Sequence, residues 1–125
     1  MKASEVLERG RRVLRLERDA IARIESQLDD AFVRAVEIIA ASPGRVIVAG
    51  VGKTGIIARK LAATLTSTGT PAIFLHPVES VHGDLGLVGS DDVAILISKS
   101  GSTIELLVLL EELKRRSRPA ARVVS

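Results

Sequence analysis

From residue 45 onward, short runs of β-branched and aliphatic residues alternate with stretches of helical periodicity. The runs are RVIVAG (45–50), PAIFLH (71–76), VAILIS (93–98) and ARVVS (121–125). Helices are predicted between them, over 54–68 and 102–116. Strands and helices that alternate at this spacing form βαβ units, in which consecutive strands run parallel. The sequence therefore predicts an α/β fold built on a doubly wound parallel sheet.

The apolar residues also predict what fills the core. Two Phe are the only aromatic residues among the 125, and Cys is absent. A core of Val, Ile, Leu and Ala suits a buried parallel sheet. The lack of Cys excludes disulfides, thiolate metal sites and cysteine nucleophiles, and is compatible with a reducing, cytoplasmic location. No apolar run reaches the roughly 18 residues of a membrane span, so we expect no membrane partner.

A helical region, residues 3–41, precedes the strands. Apolar residues recur every seven positions at Leu7, Leu14, Ile21 and Leu28, and others widen the stripe. A stripe this broad has to be buried, because apolar area in water costs free energy. We therefore expect the stripe to be buried both on the chain's own sheet and on a partner, in a homo-oligomer, a dimer or tetramer, formed through the helices.

The helical region has two weak points, Gly10 and residues 26–30, and it ends at the Ser-Pro-Gly of 42–44. We accordingly divide the chain into a helical arm, 1–44, and a sheet domain, 45–125. Ligands of open α/β sheets lie beyond the carboxyl ends of the strands. Because residue 125 falls where the fourth strand should end, we expect 45–125 to be the first part of a larger domain that lacks its C-terminal strand and helices.

The formal net charge of +3 does not indicate nucleic-acid binding. Acidic residues alternate with the arginines, as in Glu8-Arg9, which is typical of a solvated helix surface. Aromatic stacking residues and a clustered basic patch are both lacking. A small anionic ligand fits the mild positive balance, and we expect no nucleic-acid partner.

The segment GVGKTG (50–55) has the spacing G-x-G-x-x-G at Gly50, Gly52 and Gly55. A nucleotide triphosphatase loop needs a further glycine at position 47, which is Ile47 inside the strand. A dinucleotide fold needs an acid at the end of the second strand, where the sequence has Leu-His-Pro at 75–77. Neither nucleotide site is favoured. The glycines are those of a tight turn from a strand into a helix N-terminus, where an anion is stabilised.

Lys53 lies inside this turn. It is predicted either to project over the edge of the sheet towards an anion or simply to be exposed on a turn.

The segment ISKSGSTIE (97–105) follows the third predicted strand and opens the next helix. Its four hydroxyl residues surround Gly101, and they are Ser98, Ser100, Ser102 and Thr103. Neutral donors, backbone N–H groups and a helix dipole together favour a phosphate. Alternatively, Ser102 and Glu105 form a capping box, which leaves Ser98 and Ser100 unexplained.

Both histidines lie between these two segments. His76 follows a strand and precedes a proline, which is compatible with a purely structural role. His82, in the sequence His-Gly-Asp ending at Asp84, is a candidate for proton transfer near a phosphate. Metal binding is the weaker interpretation, because no third ligand is evident.

The chain resembles the sugar isomerase (SIS) domain family, and within it the D-arabinose 5-phosphate isomerases. The resemblance is carried by GVGKTG (50–55), LAATLTSTGTPAIFLHPVESVHGDLG (61–86) and ISKSGSTIE (97–105). It implies a flavodoxin-like fold and the interconversion of ribulose 5-phosphate and arabinose 5-phosphate through an enediol. It also implies a sugar-phosphate ligand and no metal or redox cofactor.

The resemblance also implies a role for each residue of the site. The phosphate ligands would be Ser98, Ser100, Gly101, Ser102 and Thr103. The catalytic residues would be Lys53, which stabilises the enediolate, with His82 and Glu105. Close relatives often have Asn at Lys99, so this lysine either strengthens phosphate binding or points to solvent.

The same family includes noncatalytic modules that bind phosphosugars in regulators or scaffolds. The presence of Lys53, His82 and Glu105 together favours the enzyme, and the helical arm shows no recognition-helix unit. The second half of the family's domain supplies a further Glu and His. The resemblance therefore implies that residues 1–125 are not a complete enzyme and are inactive alone.

Overall fold

The structure, a computed structural model, describes residues 2–116 and the backbone of 121–124. The helices are α1 Ala3–Gln27, α2 Asp30–Ala41, α3 Lys53–Ser67, α4 Pro77–Val81 and α5 Ile104–Arg116, with a 3-10 helix at Asp84–Leu87. The strands are β1 Val46–Gly50, β2 Ala72–Phe74, β3 Val93–Ile97 and β4 Ala121–Val124.

The four strands form one parallel sheet in the order β2-β1-β3-β4. From β1 the chain first moves to one side, to β2, and then returns to the other side, to β3. The point between β1 and β3 is thus the place where the direction of winding reverses, which is where such sheets bind ligands. The predicted α/β fold with a doubly wound, flavodoxin-like sheet and an N-terminal helical region is confirmed.

Helices cover both faces of the sheet. The side chains of β1 and β3 are apolar on both faces, so each face has to be buried under a helix. One face packs against α5, and its buried residues include Ile47, Ala49, Ala94, Leu96, Leu106, Leu109 and Leu113. The other face packs against α3, and its buried residues are Val46, Val48, Ala58 and Ala62. All five residues of β1 are buried, as expected for a central parallel strand.

Strand β2 is shorter than the predicted 71–76. It ends at Phe74, although the N–H of Leu75 still donates to the carbonyl of Val48 at 2.9 Å. The chain then turns into α4 at Pro77, and this helix and the 3-10 helix after it were not predicted. A proline at the first helical position is favourable, because its missing N–H has no partner there.

Tertiary contacts divide the chain into two units, residues 1–34 and 35–125. The separation into a helical arm and a sheet domain at residue 44 remains a prediction. Helix α1 belongs to the first unit and runs through Gly10 without a break. The predicted weak point at Gly10 is therefore wrong. The second weak point is confirmed, since α1 ends at Gln27 and α2 begins at Asp30.

The apolar stripe of α1 is exposed to solvent. Leu14 is 66% exposed and Ile21 is 67% exposed, and no residue of the helix is buried. In the part of the chain that the structure describes, no helix is both long and apolar enough to cross a membrane.

Asp92 joins the amino ends of β1 and β3. Its carboxylate, only 7% exposed, accepts the N–H groups of Arg45 at 2.7 Å and Gly89 at 2.8 Å. It also forms an ion pair with the Arg45 guanidinium at 3.1 Å. Burial acts to raise the pKa of Asp92, but these hydrogen bonds and the Arg45 charge outweigh it and hold the pKa below its ordinary value. The cluster fixes the two central strands opposite the edge that carries the candidate site.

Candidate functional site

The candidate site lies at the carboxyl edge of the sheet, where two loops leave neighbouring strands side by side. Gly50, the last residue of β1, pairs with Ile97, the last residue of β3. The glycine loop (residues 50–55) and the serine loop (residues 97–103) therefore start together at the point where the winding reverses.

The glycine loop makes a close passage from β1 into α3. A Cβ on Gly55 would lie 2.7 Å from the Gly50 carbonyl oxygen, so the first turn of the helix rests directly on the strand. Gly52 precedes the helix with φ of +61°, which L side chains rarely adopt. The Thr54 hydroxyl donates to the Val51 carbonyl at 2.7 Å and fixes the turn. Only Gly52 is needed for the turn itself, whereas Gly50 and Gly55 are needed for the contact.

Lys53 is the first residue of α3, and its side chain is exposed. Within the described part of the chain, its ammonium has no hydrogen bond or ion pair, and its N–H and that of Thr54 have no acceptor. Free N–H groups at a helix N-terminus, together with an unpaired ammonium, favour an anionic ligand or a developing negative charge.

The serine loop is organised around Ser98, which is 6% exposed. Its hydroxyl accepts the N–H of Gly101 at 2.9 Å and lies 3.1 Å from the Thr103 hydroxyl. Gly101 has φ of +71°, so the chain reverses there. The hydrogen bonds of the buried Ser98 thus stabilise the turn of the loop.

Two further hydroxyls pair on the exposed side of the loop. Ser100 accepts both the N–H of Ser102 at 3.2 Å and its hydroxyl at 3.1 Å. Helix α5 begins one residue after Thr103, whose carbonyl accepts the N–H groups of Leu106 at 3.1 Å and Leu107 at 3.0 Å. The capping box that Ser102 and Glu105 were expected to form as an alternative is therefore wrong, because Ser102 bonds within the loop.

The start of α5 presents unused donors beside these hydroxyls. Among the residues described, no acceptor is found for the N–H groups of Ile104 and Glu105. The Glu105 carboxylate is exposed in the first turn, where a helix dipole favours a negative charge. It makes no hydrogen bond or ion pair within the described residues.

His82 directly follows α4 as its C-terminal cap residue, and its side chain is exposed. Its backbone N–H donates to the Glu79 carbonyl at 3.0 Å, while no described residue is a partner of its imidazole. Gly83 follows with φ of +144°, and Asp84 begins the 3-10 helix. No hydrogen bond or ion pair links His82 to Asp84 in the described structure.

The structure thus brings some of the predicted site residues into contact and leaves others apart. Ser98 contacts Thr103 and Ser100 contacts Ser102, while strand pairing alone places Lys53 at the same edge. Within the described residues, no hydrogen bond or ion pair joins Lys53, His82 and Glu105. Their catalytic roles remain predictions, and each of the three side chains is accessible to a ligand.

The described residues contain no cluster of three or more His, Asp or Glu side chains that could hold a metal ion. The expectation that no metal or redox cofactor takes part remains a prediction.

The sequence was compatible with a structural role for His76 but did not show that this role is a helix cap. Its Nδ1 accepts the N–H of Val78 at 3.2 Å, so the imidazole caps α4. The ring of Phe74 meets it edge to face, with the centroids 6.3 Å apart. The Pro at position 77 was the local signal for a helix start, and the preceding residue is where a cap is needed.

Comparisons with known proteins agree with this geometry. The SIS domain model matches residues 38–124. Arabinose 5-phosphate isomerase KdsD of Pseudomonas aeruginosa is 48% identical over 106 residues, which are 85% of this chain and 32% of that protein. Arabinose 5-phosphate isomerase GutQ of Salmonella typhi is 49% identical over 112 residues, 90% of this chain and 35% of that protein. The chain spans about a third of the length of these curated relatives.

A solved structure is similar over almost the whole chain. It is the E. coli CFT073 protein c3406 in complex with arabinose 5-phosphate, with a TM-score of 0.88 and 40% identity, covering 95% of this chain and 67% of that one. The parallel sheet and the two loops agree with these matches, and the chain belongs to the SIS domain family.

Proposed function

We propose that the protein acts on a sugar phosphate as an aldose–ketose isomerase, interconverting D-arabinose 5-phosphate and D-ribulose 5-phosphate. The observation that carries this proposal is the pairing of Gly50 with Ile97. It brings a loop of hydroxyls and helix N–H groups next to a loop with an unpaired lysine. The similarity to arabinose 5-phosphate isomerases, and to a solved structure in complex with arabinose 5-phosphate, supports the choice of substrate.

The serine loop is the proposed phosphate site. The exposed hydroxyls of Ser100 and Ser102, with Thr103 and the backbone around Gly101, offer donors on one side of the loop, while buried Ser98 supports them from below. Donors at a helix N-terminus bind a phosphate without a full positive charge. Specificity for a phosphorylated sugar would follow from this loop.

The reaction moves two protons and leaves no net change in oxidation. In the open-chain aldose, a base removes the proton from C2, and the enediolate that forms carries its negative charge on O1. A proton then adds to C1, and the hydroxyl proton of O2 passes to O1, which leaves the C2 carbonyl of the ketose. We assign these transfers to His82 and Glu105, and the stabilisation of the enediolate to the Lys53 ammonium.

The proposed assembly is a homo-oligomer, a dimer or tetramer, formed through the helices. The exposed stripe of α1, with Leu14 and Ile21, supports it, because an apolar surface of this kind is stabilised by burial in a partner.

Because residues 1–125 are expected to be inactive alone, the direct test is to incubate the full-length protein that contains them with D-arabinose 5-phosphate in D₂O and to follow the C2 proton by NMR. Exchange of this proton with solvent, together with formation of ribulose 5-phosphate, is the expected result. Unphosphorylated D-arabinose is the matched control and should not react. Binding of the sugar phosphate without exchange would refute the isomerase and favour a noncatalytic phosphosugar-binding module of a regulator or scaffold.

A further inference from the structure

We propose that His76 is a positioning residue, whose Nδ1 caps α4 and thereby holds His82 at the site. The inference rests on the proposed function, in which His82 transfers a proton. It assigns to the first histidine a role in the reaction that requires no contact with the substrate.

His76 supplies two hydrogen bonds to a helix of only five residues. Its Nδ1 accepts the N–H of Val78 at 3.2 Å, and its carbonyl accepts the N–H of Ser80 at 2.9 Å. The nitrogen that accepts carries no proton, so the ring acts here as a neutral acceptor. Asn, Asp, Ser and Thr side chains usually do this at helix N-termini, with an oxygen in place of the ring nitrogen.

A helix of one turn depends strongly on such a bond. Short helices are not stable by themselves, since the first turn fixes several residues for one hydrogen bond. Pro77 and Ser80 are buried, and the Ser80 hydroxyl donates to the Pro77 carbonyl at 2.6 Å. The exposed side of the turn, which includes Val78 and Glu79, is thus stabilised by the hydrogen bond from Val78 to His76. His82 follows Val81, the last residue of the helix, and its N–H donates to the Glu79 carbonyl.

The ring of His76 is itself held in orientation by β2. Phe74 lies edge to face with it at an interplanar angle of 80°, and the Arg59 guanidinium lies 4.0 Å from the centroid of the Phe74 ring. These contacts place the imidazole between strand and helix, with Nδ1 towards the backbone of α4. A series of contacts therefore runs from α3 through Phe74 and His76 to the turn that ends at His82.

Two variants separate this role from a general loss of the imidazole. In His76→Asn, the side-chain oxygen lies close to the position of Nδ1 and can accept the Val78 N–H. In His76→Gln, the oxygen is one bond farther away and cannot make the same short cap. We expect kcat for arabinose 5-phosphate to stay within about twofold in the Asn variant and to fall roughly five- to tenfold in the Gln variant, as for the loss of one cap. KM should change little in either, since the serine loop is untouched.

Amide hydrogen exchange gives a readout that does not depend on activity. Val78 should be protected in the wild type and in His76→Asn, and should exchange faster in His76→Gln. Equal Val78 exchange in the two variants overturns the cap, and protection that differs while kcat is equal overturns the positioning role. An inactive full-length wild type, in which residues 1–125 are part of the longer protein, overturns the proposed function, and the proposed role of His76 in catalysis with it. The exchange rates then still decide whether His76 fixes α4.

Discussion

Gly50 and Gly55 meet backbone to backbone where β1 ends and α3 begins. A Cβ on Gly55 would lie 2.7 Å from the carbonyl oxygen of Gly50, and one on Gly50 would lie 2.7 Å from that of Thr54. Both positions exclude side chains, and the contact brings the N-terminus of α3 as close to the sheet edge as a backbone can come. Packing therefore explains Gly50 and Gly55 of the G-x-G-x-x-G spacing, and the positive φ of +61° explains Gly52.

Gly55→Ala should lower the free energy of unfolding by about 1–3 kcal/mol, because the added methyl overpacks a rigid backbone contact. Urea denaturation followed by circular dichroism measures it. Gly86→Ala is the control, since no atom lies within 4 Å of a Cβ at Gly86. Equal midpoints for the two variants would contradict the close contact.

Asp92→Asn should destabilise the protein by about 1–3 kcal/mol at neutral pH, because the charged carboxylate accepts three hydrogen bonds in a nearly buried place. Its folded pKa is below the ordinary value of 3.8. The stabilisation is therefore complete above that value, and is lost as the pH falls below it through the folded pKa.

The measurement is urea unfolding of wild type and variant at neutral pH and below about pH 4, the ordinary range of an Asp carboxyl. The difference between them should shrink in acid. Asp91→Asn is the matched control, because Asp91 is exposed and, among the residues that the structure describes, its carboxylate has no partner; its carbonyl accepts the Ser42 hydroxyl at 2.8 Å. A difference that stays constant with pH would exclude Asp92 as the titrating group.

Lys53→Ala should lower kcat by about 10²- to 10³-fold, as for other groups that stabilise a charge formed in the transition state. Lys60→Ala, on the same helix with its ammonium 3.3 Å from the Thr64 hydroxyl, is the control. The assay is the isomerisation of arabinose 5-phosphate at saturation, with both variants made in the full-length protein that contains residues 1–125. Unchanged turnover in Lys53→Ala would remove this lysine from the mechanism.

Lys99 is exposed in the serine loop and has no ion-pair partner among the residues that the structure describes. If it strengthens phosphate binding, Lys99→Asn should raise KM by roughly two- to fivefold at low salt, as expected of an exposed ion pair. The effect should vanish at high salt, because exposed charges are screened. An equal KM at low salt would mean that the lysine points to solvent.

Replacing Leu14 and Ile21 together by Gln should weaken the proposed oligomer, since both lie in the exposed stripe of α1. Light scattering coupled to size-exclusion chromatography measures the mass of wild type and variant. Arg18→Gln, also exposed on α1, is the control for a change without loss of apolar area. A monomeric wild type would refute the helix-mediated assembly.

The strands could be predicted from sequence because each is a continuous apolar run, and β1 and β3 are confirmed within a residue. Strand β2 was predicted too long, since the run of apolar residues continues through Leu75 into the turn. Helix α4 was missed because His76 is not a usual capping residue, and five residues show no periodicity. The Arg45–Asp92 bond was missed because its partners are 47 positions apart.

The two loops of the candidate site could be located because glycine and hydroxyl residues mark strand-to-helix turns. Their hydrogen bonds could not be predicted, since Ser102 has the spacing of a capping box with Glu105 yet bonds to Ser100 instead. The mutual placement of Lys53, His82 and Glu105 depends on three separate elements, and local sequence carries no information about it.

The hydroxyl pairs of the serine loop have a consequence for the speed of ligand capture. Each serine hydrogen can rotate about its C–O bond, so the proton that Ser102 directs to Ser100 can turn outward to an arriving anion. The backbone, fixed by Ser98 and Gly101, need not move for this. For the proposed phosphate ligand, binding would then need only side-chain rotations on the picosecond to nanosecond timescale, so the loop would be ready before the encounter.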